Sequence, residues 1–314
     1  MITKGSEDKR NCTKNQFFLD SARRGFELIL DKILNKESDV ILMPGYIGES
    51  AKEGSGVFDP VRKTKVKYIF YKVNHDLSVD LDDIKNKIEN ANVKAILLIH
   101  WFGFPQKCVF ELSELCKQKG VYLIEDCAHT FSSEYKGVKL GCIGHFALCS
   151  IHKILTTENG GILQVNDEKL MSLFEHIEEN IDKTDLLQYA RTDFEMIAQK
   201  KLGNYRSYLQ YFDMNSDLYD IIYPELEEGV VPNNFPVYIK NYDRFQLYNE
   251  LDAVGIPTVV LYYRMIEELK KEEFPMSYQI ADTIMNFPIH QDIVKEDIKH
   301  IADVLNNRKF RKKQ

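Results

Sequence analysis

Hydrophobic positions in this chain cluster into short continuous runs, separated by charged stretches of helical period. Val40-Ile41-Leu42-Met43 is stopped by Pro44-Gly45 and reads as a buried strand ending in a turn. Ala95-Ile96-Leu97-Leu98-Ile99 and Val121-Tyr122-Leu123-Ile124 read the same way, with a helix from Lys107 to Lys119 between them, closed by Gly120. Val66 to Val73 alternates as a strand, and Asp80 to Glu89 is a charged helix. Phe146-Ala147-Leu148-Cys149 and Gly161-Ile162-Leu163-Gln164-Val165 add two further strands. Ser21 is placed as the N-cap of a helix that runs to about Leu34. Continuous apolar strands alternating with helices predict an α/β fold, with a mostly parallel central sheet flanked by helices.

From Asn166 to about Asp213 the pattern is helical and charged. A smaller α+β unit follows, with a strand over Pro232 to Ile239, a helix over Tyr242 to Val254 closed by Gly255, and a last helix over Asp292 to Leu305. The expected division is a large domain over 1–205 and a small C-terminal domain over 206–314.

A formal net charge of −7 with both signs mixed gives no general affinity for nucleic acid. The basic tail from Asn306 to Gln314 reads as a solvated, frayed terminus. No N-terminal segment joins a basic start to an apolar core, so no secretion signal is expected. The longest apolar run, Ala95 to Phe104, is broken by His100 and is about half of a membrane span. A cytoplasmic protein with no membrane partner follows. The six cysteines, Cys12, Cys108, Cys116, Cys127, Cys142 and Cys149, are scattered, and reduced, mostly buried thiols are expected.

In an open parallel sheet, ligands sit beyond the carboxyl ends of the strands. Pro44-Gly45-Tyr46, His100, Glu125-Asp126 and Ser150-Ile151-His152-Lys153 each follow one of the buried strands, so a parallel sheet brings them to one rim. An apolar approach disfavours a charged ammonium at Lys153 and favours imine chemistry. Taken alone, Lys153 reads first as a solvated loop lysine, Asp126 as a helix N-cap and His129 as a core histidine. Their combination is what pyridoxal 5′-phosphate (PLP) requires: a lysine for a Schiff base, and a carboxylate that keeps the pyridine nitrogen protonated.

The series Ile124-Glu125-Asp126-Cys127-Ala128-His129-Thr130, Gly141-Cys142-Ile143-Gly144, Ser150-Ile151-His152-Lys153 and Gly160-Gly161 resembles the DegT/DnrJ/EryC1/StrS aminotransferases. These are fold-type-I PLP enzymes, and most act on keto sugars attached to nucleotides. Ser21-Ala22-Arg23, Met43-Pro44-Gly45-Tyr46 and His100-Trp101-Phe102-Gly103 extend the resemblance upstream. Leu261-Tyr262-Tyr263-Arg264 and Phe287-Pro288-Ile289-His290-Gln291-Asp292 extend it more weakly downstream.

The resemblance implies roles by position. Lys153 is the Schiff-base lysine and proton shuttle, Asp126 pairs with the pyridine nitrogen, and His129 sits near the ring oxygen. Ser150 contacts the phosphate. Ser21 and Ala22 offer a hydroxyl and amides at a helix N-terminus, which independently suits phosphate, and Arg23 adds charge. Tyr46 packs on the cofactor ring, with Trp101 as its competitor. Tyr263, Arg264, His290 and Asn159 are the implied substrate contacts. The implied reaction moves an amino group, from glutamate, to a keto group of a nucleotide-linked deoxy sugar, in a homodimer with shared active sites.

The step from Ser150 to Lys153 is shorter than in many members, and Glu158-Asn159-Gly160-Gly161 replaces the usual Gly-Glu-Gly-Gly; both put the substrate pocket in question more than the cofactor. Some relatives carry His at the lysine position and dehydrate their sugar. Counting back from Gly160-Gly161 puts Lys153, not His152, there, which favours transamination. A non-catalytic member of the family would be expected to have lost Lys153 or Asp126. A zinc site from Cys142, His145, Cys149 and His152 is a separate reading, weakened because a strand through Phe146–Cys149 sends neighbours to opposite faces. A nicotinamide-binding Rossmann enzyme is disfavoured, since no G-x-G-x-x-G follows the first strand.

Overall fold

A computed structural model describes residues 15–50, 54–259 and 262–307. Cys12, Glu53, Leu261 and the basic tail from 308 onward lie outside the described residues. The larger sheet has seven strands in the order β1-β9-β8-β5-β4-β2-β3: β1 (Gln16–Leu19), β2 (Val40–Pro44), β3 (Lys67–Tyr71), β4 (Val93–Ile99), β5 (Tyr122–Asp126), β8 (Phe146–Ser150) and β9 (Gly161–Val165). The missing numbers belong to a small hairpin, β6 (Glu134–Tyr135) and β7 (Val138–Lys139). From β3 to β8 every neighbouring pair is parallel, and β9 and β1 then close the edge antiparallel. The parallel strands are buried almost throughout, as their unbroken apolar runs require.

The helices follow the expected start and stop chemistry. In α1 (Ala22–Ile33), Ser21 Oγ accepts from the Arg24 amide, and the face bearing Gly25, Phe26, Ile29 and Leu30 is buried. Gly25 lets that face close on the sheet, since a methyl group there would already touch Leu148 and Leu163. After the short α2 (Asp59–Thr64), α3 (Leu81–Asn90) is capped by Asp80, and α4 (Val109–Lys119) ends at Gly120 in the left-handed region. Two more helices, α5 (Lys183–Arg191) and α6 (Phe194–Tyr211), lead to the second sheet.

That sheet is antiparallel, in the order β10 (Tyr219–Ile221), β11 (Asn234–Ile239), β12 (Ile284–Pro288). It carries α7 (Arg244–Asp252), α8 (Pro275–Thr283) and α9 (Lys295–Asn307). The chain is thus an α/β structure with a mostly parallel main sheet and a small antiparallel C-terminal sheet, as expected. Among the described residues no helix is long and apolar enough to cross a membrane.

One expectation about the cysteines needs correcting. Cys108, Cys116, Cys127 and Cys149 are free thiols, but Cys142 is disulfide-bonded. Cys142 is only half-buried and lies in the turn before β8 rather than in a strand.

Candidate active site

Four parallel strands end at one rim. β5 delivers Asp126, and Asp126 Oδ1 accepts the Ala128 amide at 2.9 Å. Oδ2 takes no hydrogen bond from the described residues. Burial raises the Asp126 carboxyl above its ordinary value, opposed by the positive charge of Lys153. The loop after β8 delivers Lys153, whose Nζ lies 3.2 Å from His129 Nε2. Lys153 itself is exposed, whereas His129 is buried.

His129 is fixed from its other nitrogen. Nδ1 accepts the backbone N–H of Phe102 at 3.3 Å, and the Phe102 ring lies nearly parallel to the imidazole at 6.1 Å. Burial pushes His129 well below the usual imidazole range, and the charges of Lys153 and Lys201 push it further. Phe102 holds φ 58°, a left-handed conformation that costs a side-chain-bearing residue about 1–2 kcal/mol. Gly103 follows at φ +96°, where a methyl group would lie 2.6 Å from the Asn233 nitrogen. Tyr262 also has positive φ, and its ring meets Phe102 edge-on. Strain gathered on residues lining one rim is characteristic of functional sites.

The remaining predicted positions divide into two groups. Tyr46 is fully buried, with its ring against Trp101 at 5.9 Å and Tyr262 at 5.4 Å. Its hydroxyl finds no partner among the described residues, nor does the Trp101 indole nitrogen. Ser150 Oγ lies 3.2 Å from His152 Nδ1. Ser150 pairs in register with Gly161, and a methyl group on Gly161 would lie 2.0 Å from the Ala22 nitrogen. The start of α1 is therefore pressed against the end of β8, so the Ala22 and Arg23 amides and Ser150 share one corner. The Ser21 hydroxyl is committed to capping and to Asp20 Oδ1. Arg23 reaches Asp59 at 3.6 Å.

The positions assigned to substrate are more scattered. Asn159, Tyr263, Arg264 and His290 are all exposed. The Arg244 guanidinium lies over the Tyr263 ring, and His290 pairs with Asp292 at 3.5 Å. The zinc reading does not assemble: Cys142 is disulfide-bonded, and His145 Nδ1 accepts the Leu123 amide.

Sequence reasoning missed two parts of this rim. One is the buried pair His100–Glu125 at 3.2 Å, in which Glu125 also accepts the amides of Gly141, Ile143 and Gly144. Burial acts to raise Glu125, but His100 and the Gly144 and Gly141 amides outweigh it and hold the carboxyl below its usual value. His100 and Glu125 were visible as motif letters, yet their pairing was not. The other is Lys201 on α6, buried and donating to Asn233 Oδ1 at 2.7 Å. Nothing in the local sequence separates it from the exposed Lys200 beside it.

The combination of fold and rim defines a class: this is the architecture of fold-type-I aminotransferases. The family model of the DegT/DnrJ/EryC1/StrS aminotransferase family matches residues 55–183. The aminotransferase TlmJ from Streptoalloteichus hindustanus has the same fold, with a TM-score of 0.78 and 19% identity over 93% of this chain and 85% of that one. GDP-perosamine synthase of Escherichia coli O157:H7 is 38% identical over 100 residues, which is 31% of this chain and 27% of that protein. The UDP-4-amino-4,6-dideoxy-N-acetyl-beta-L-altrosamine transaminase of Campylobacter jejuni is 22% identical over 93% of this chain and 85% of that protein. The chain spans 25% to 38% of the length of the first curated relatives it matches.

Proposed function

We propose that this chain is a PLP-dependent aminotransferase that places an amino group on the keto carbon of a nucleotide-linked deoxy sugar. The observation that carries the reading is the convergence of Lys153, His129 and Asp126 at the carboxyl rim of the parallel sheet, with Lys153 Nζ 3.2 Å from His129. The amino donor is an α-amino acid, glutamate by family likeness. Overall, the donor's amino group replaces the ketone oxygen and the donor leaves as a 2-oxo acid.

The residues present fit the cofactor. Asp126 Oδ2 is open to hold the proton of a ring nitrogen, and the Ala22 and Arg23 amides at the start of α1 suit a phosphate, with Ser150 beside them. Lys153 is the attachment residue. When bound, PLP supplies an electron sink that makes a proton on the neighbouring carbon removable. Lys153 Nζ then moves that proton as general base and acid. His129, kept uncharged by burial, orients the amine through Nε2. Tyr46 and Tyr262 close the face above and exclude water.

Exposure of Lys153 and Asn159 in the isolated chain supports a homodimer in which a second copy covers the site. The division into domains at 205/206 is retained as part of the same reading, as are substrate contacts by Tyr263, Arg264, His290 and Asn159.

Purified protein mixed with PLP should develop a yellow absorbance that borohydride fixes covalently on Lys153, and Lys153→Ala should lack both. A wild type with neither band nor adduct would remove the reading.

A further inference from the structure

Four contacts join α6 to the lysine-bearing loop. Lys201 Nζ donates to Asn233 Oδ1 at 2.7 Å, and the Asn233 amide donates to Phe102 O at 2.7 Å. The Phe102 amide donates to His129 Nδ1 at 3.3 Å, and His129 Nε2 lies 3.2 Å from Lys153 Nζ. Lys201 and His129 also line the same small pocket, with Phe131, Ile154, Ile197 and Val231.

The hydrogen-bond roles along this route are determined from one end. An amide can only donate, so His129 Nδ1 is an acceptor and the proton of the neutral ring sits on Nε2. Nε2–H then points at Lys153 Nζ. An ammonium has no lone pair, so this contact is a hydrogen bond only when the lysine is a free amine. Anything that keeps His129 neutral in this tautomer therefore supports the reactive form of Lys153.

We propose that Lys201 is a positioning residue: its buried ammonium holds Asn233, which holds the Phe102 peptide whose amide fixes His129 as the Nε2–H tautomer that donates to the free amine of Lys153. The proposal rests on the reading of Lys153 as the attachment lysine. The charged groups facing His129 are Lys153 from the loop after β8 and Lys201 from α6. Asp126, from β5, faces Lys153. Among the described residues neither His129 nor Lys201 has a carboxylate hydrogen-bond partner. With Lys153 as the free amine, the Lys201 charge still repels a proton from the ring, adding to the effect of burial. Burial lowers Lys201 itself to about 8, so its charge is present at neutral pH and fades above that.

The test uses cofactor-free protein with nitrogen-labelled histidine. In Lys201→Met the His129 titration midpoint should rise by about one pH unit, the size expected for removing a nearby like charge. Lys201→Arg should restore the wild-type midpoint. In parallel, the pH midpoint for borohydride trapping of PLP on Lys153 should move to higher pH in Lys201→Met, because a loosened His129 donates less well to the free amine. A folded Lys201→Met with both midpoints unchanged overturns the proposal. If Lys201→Met does not fold, Asn233→Asp decides: its carboxylate offsets the Lys201 charge, so the His129 midpoint should rise, and no rise overturns the proposal. If the wild type traps no PLP, the functional reading fails, while the His129 titration still decides the role of Lys201.

Discussion

Gly161 lies against Ala22 so closely that a methyl group on its α-carbon would stand 2.0 Å from the Ala22 nitrogen. The contact is backbone to backbone, so no side chain can swing aside to relieve it. It fixes the start of α1 against β9 and, through the Ser150–Gly161 pair, against the end of β8. Gly161→Ala should destabilise the protein by at least about 3 kcal/mol, the top of the range for overpacking. Where the variant still folds, PLP affinity should fall more than borohydride trapping at saturating PLP, because the corner proposed for phosphate opens while Lys153 stays. Denaturant unfolding and a PLP titration check the two parts.

Asp126→Asn should separate attachment from turnover. Lys153 is untouched, so covalent trapping of PLP persists. The amide cannot stabilise a protonated ring nitrogen, and transamination should fall on the order of a hundredfold or more, the scale of losing one electrostatic stabiliser. Single-turnover rates with glutamate measure this. Equal rates in variant and wild type would argue that Asp126 serves only as a local cap.

Glu125→Gln should be costly for a different reason. The carboxylate accepts three backbone amides as well as His100, and the residue has no exposure. Glutamine has a single acceptor oxygen and turns an NH2 toward donors, so about 3–5 kcal/mol should be lost. Because the folded carboxyl is held below its ordinary value of 4.5, its contribution is present above that pH and is lost as pH falls further. Acid unfolding of the wild type should therefore be steeper below pH 4.5 than that of Glu125→Gln.

Lys201 gives a dependence of the same sign at higher pH. A buried lysine lowered from 10.5 to about 8 must be charged against its environment below pH 8. The folded state binds fewer protons than the unfolded state between those values, so stability rises with pH across that window. Relative to Lys201→Met, the wild type should gain on the order of 3 kcal/mol between pH 8 and 10.5. Urea unfolding at several pH values measures the difference.

The parallel core was legible because strands buried on both faces write themselves as unbroken apolar runs, as Ala95–Ile99 and Val121–Ile124 do. The rim residues were legible because each stands just past such a run. Elements defined by distant pairing were not. β1 is four residues long and earns its strand only by pairing with β9, far along the chain. β12 and α8 share an apolar stretch whose helix-to-strand change depends on β11. Lys201 escaped for a related reason. A lysine in a charged helix is ordinarily solvated, and only the fold reveals that this one faces His129.

The antiparallel turn from β8 to β9 has a consequence for how this protein can change. Ser150 pairs with Gly161 and the Ile151 amide donates to Gly160 O at 2.9 Å, so the segment carrying Lys153 is clasped at its base. Closure is secured by the sheet, not by the residues in between. Positions 156–159 can therefore vary in sequence and length while the clasp stays shut. Lys153 and the surface proposed for the substrate are then separable, and rewriting one short stretch would leave the lysine unaltered.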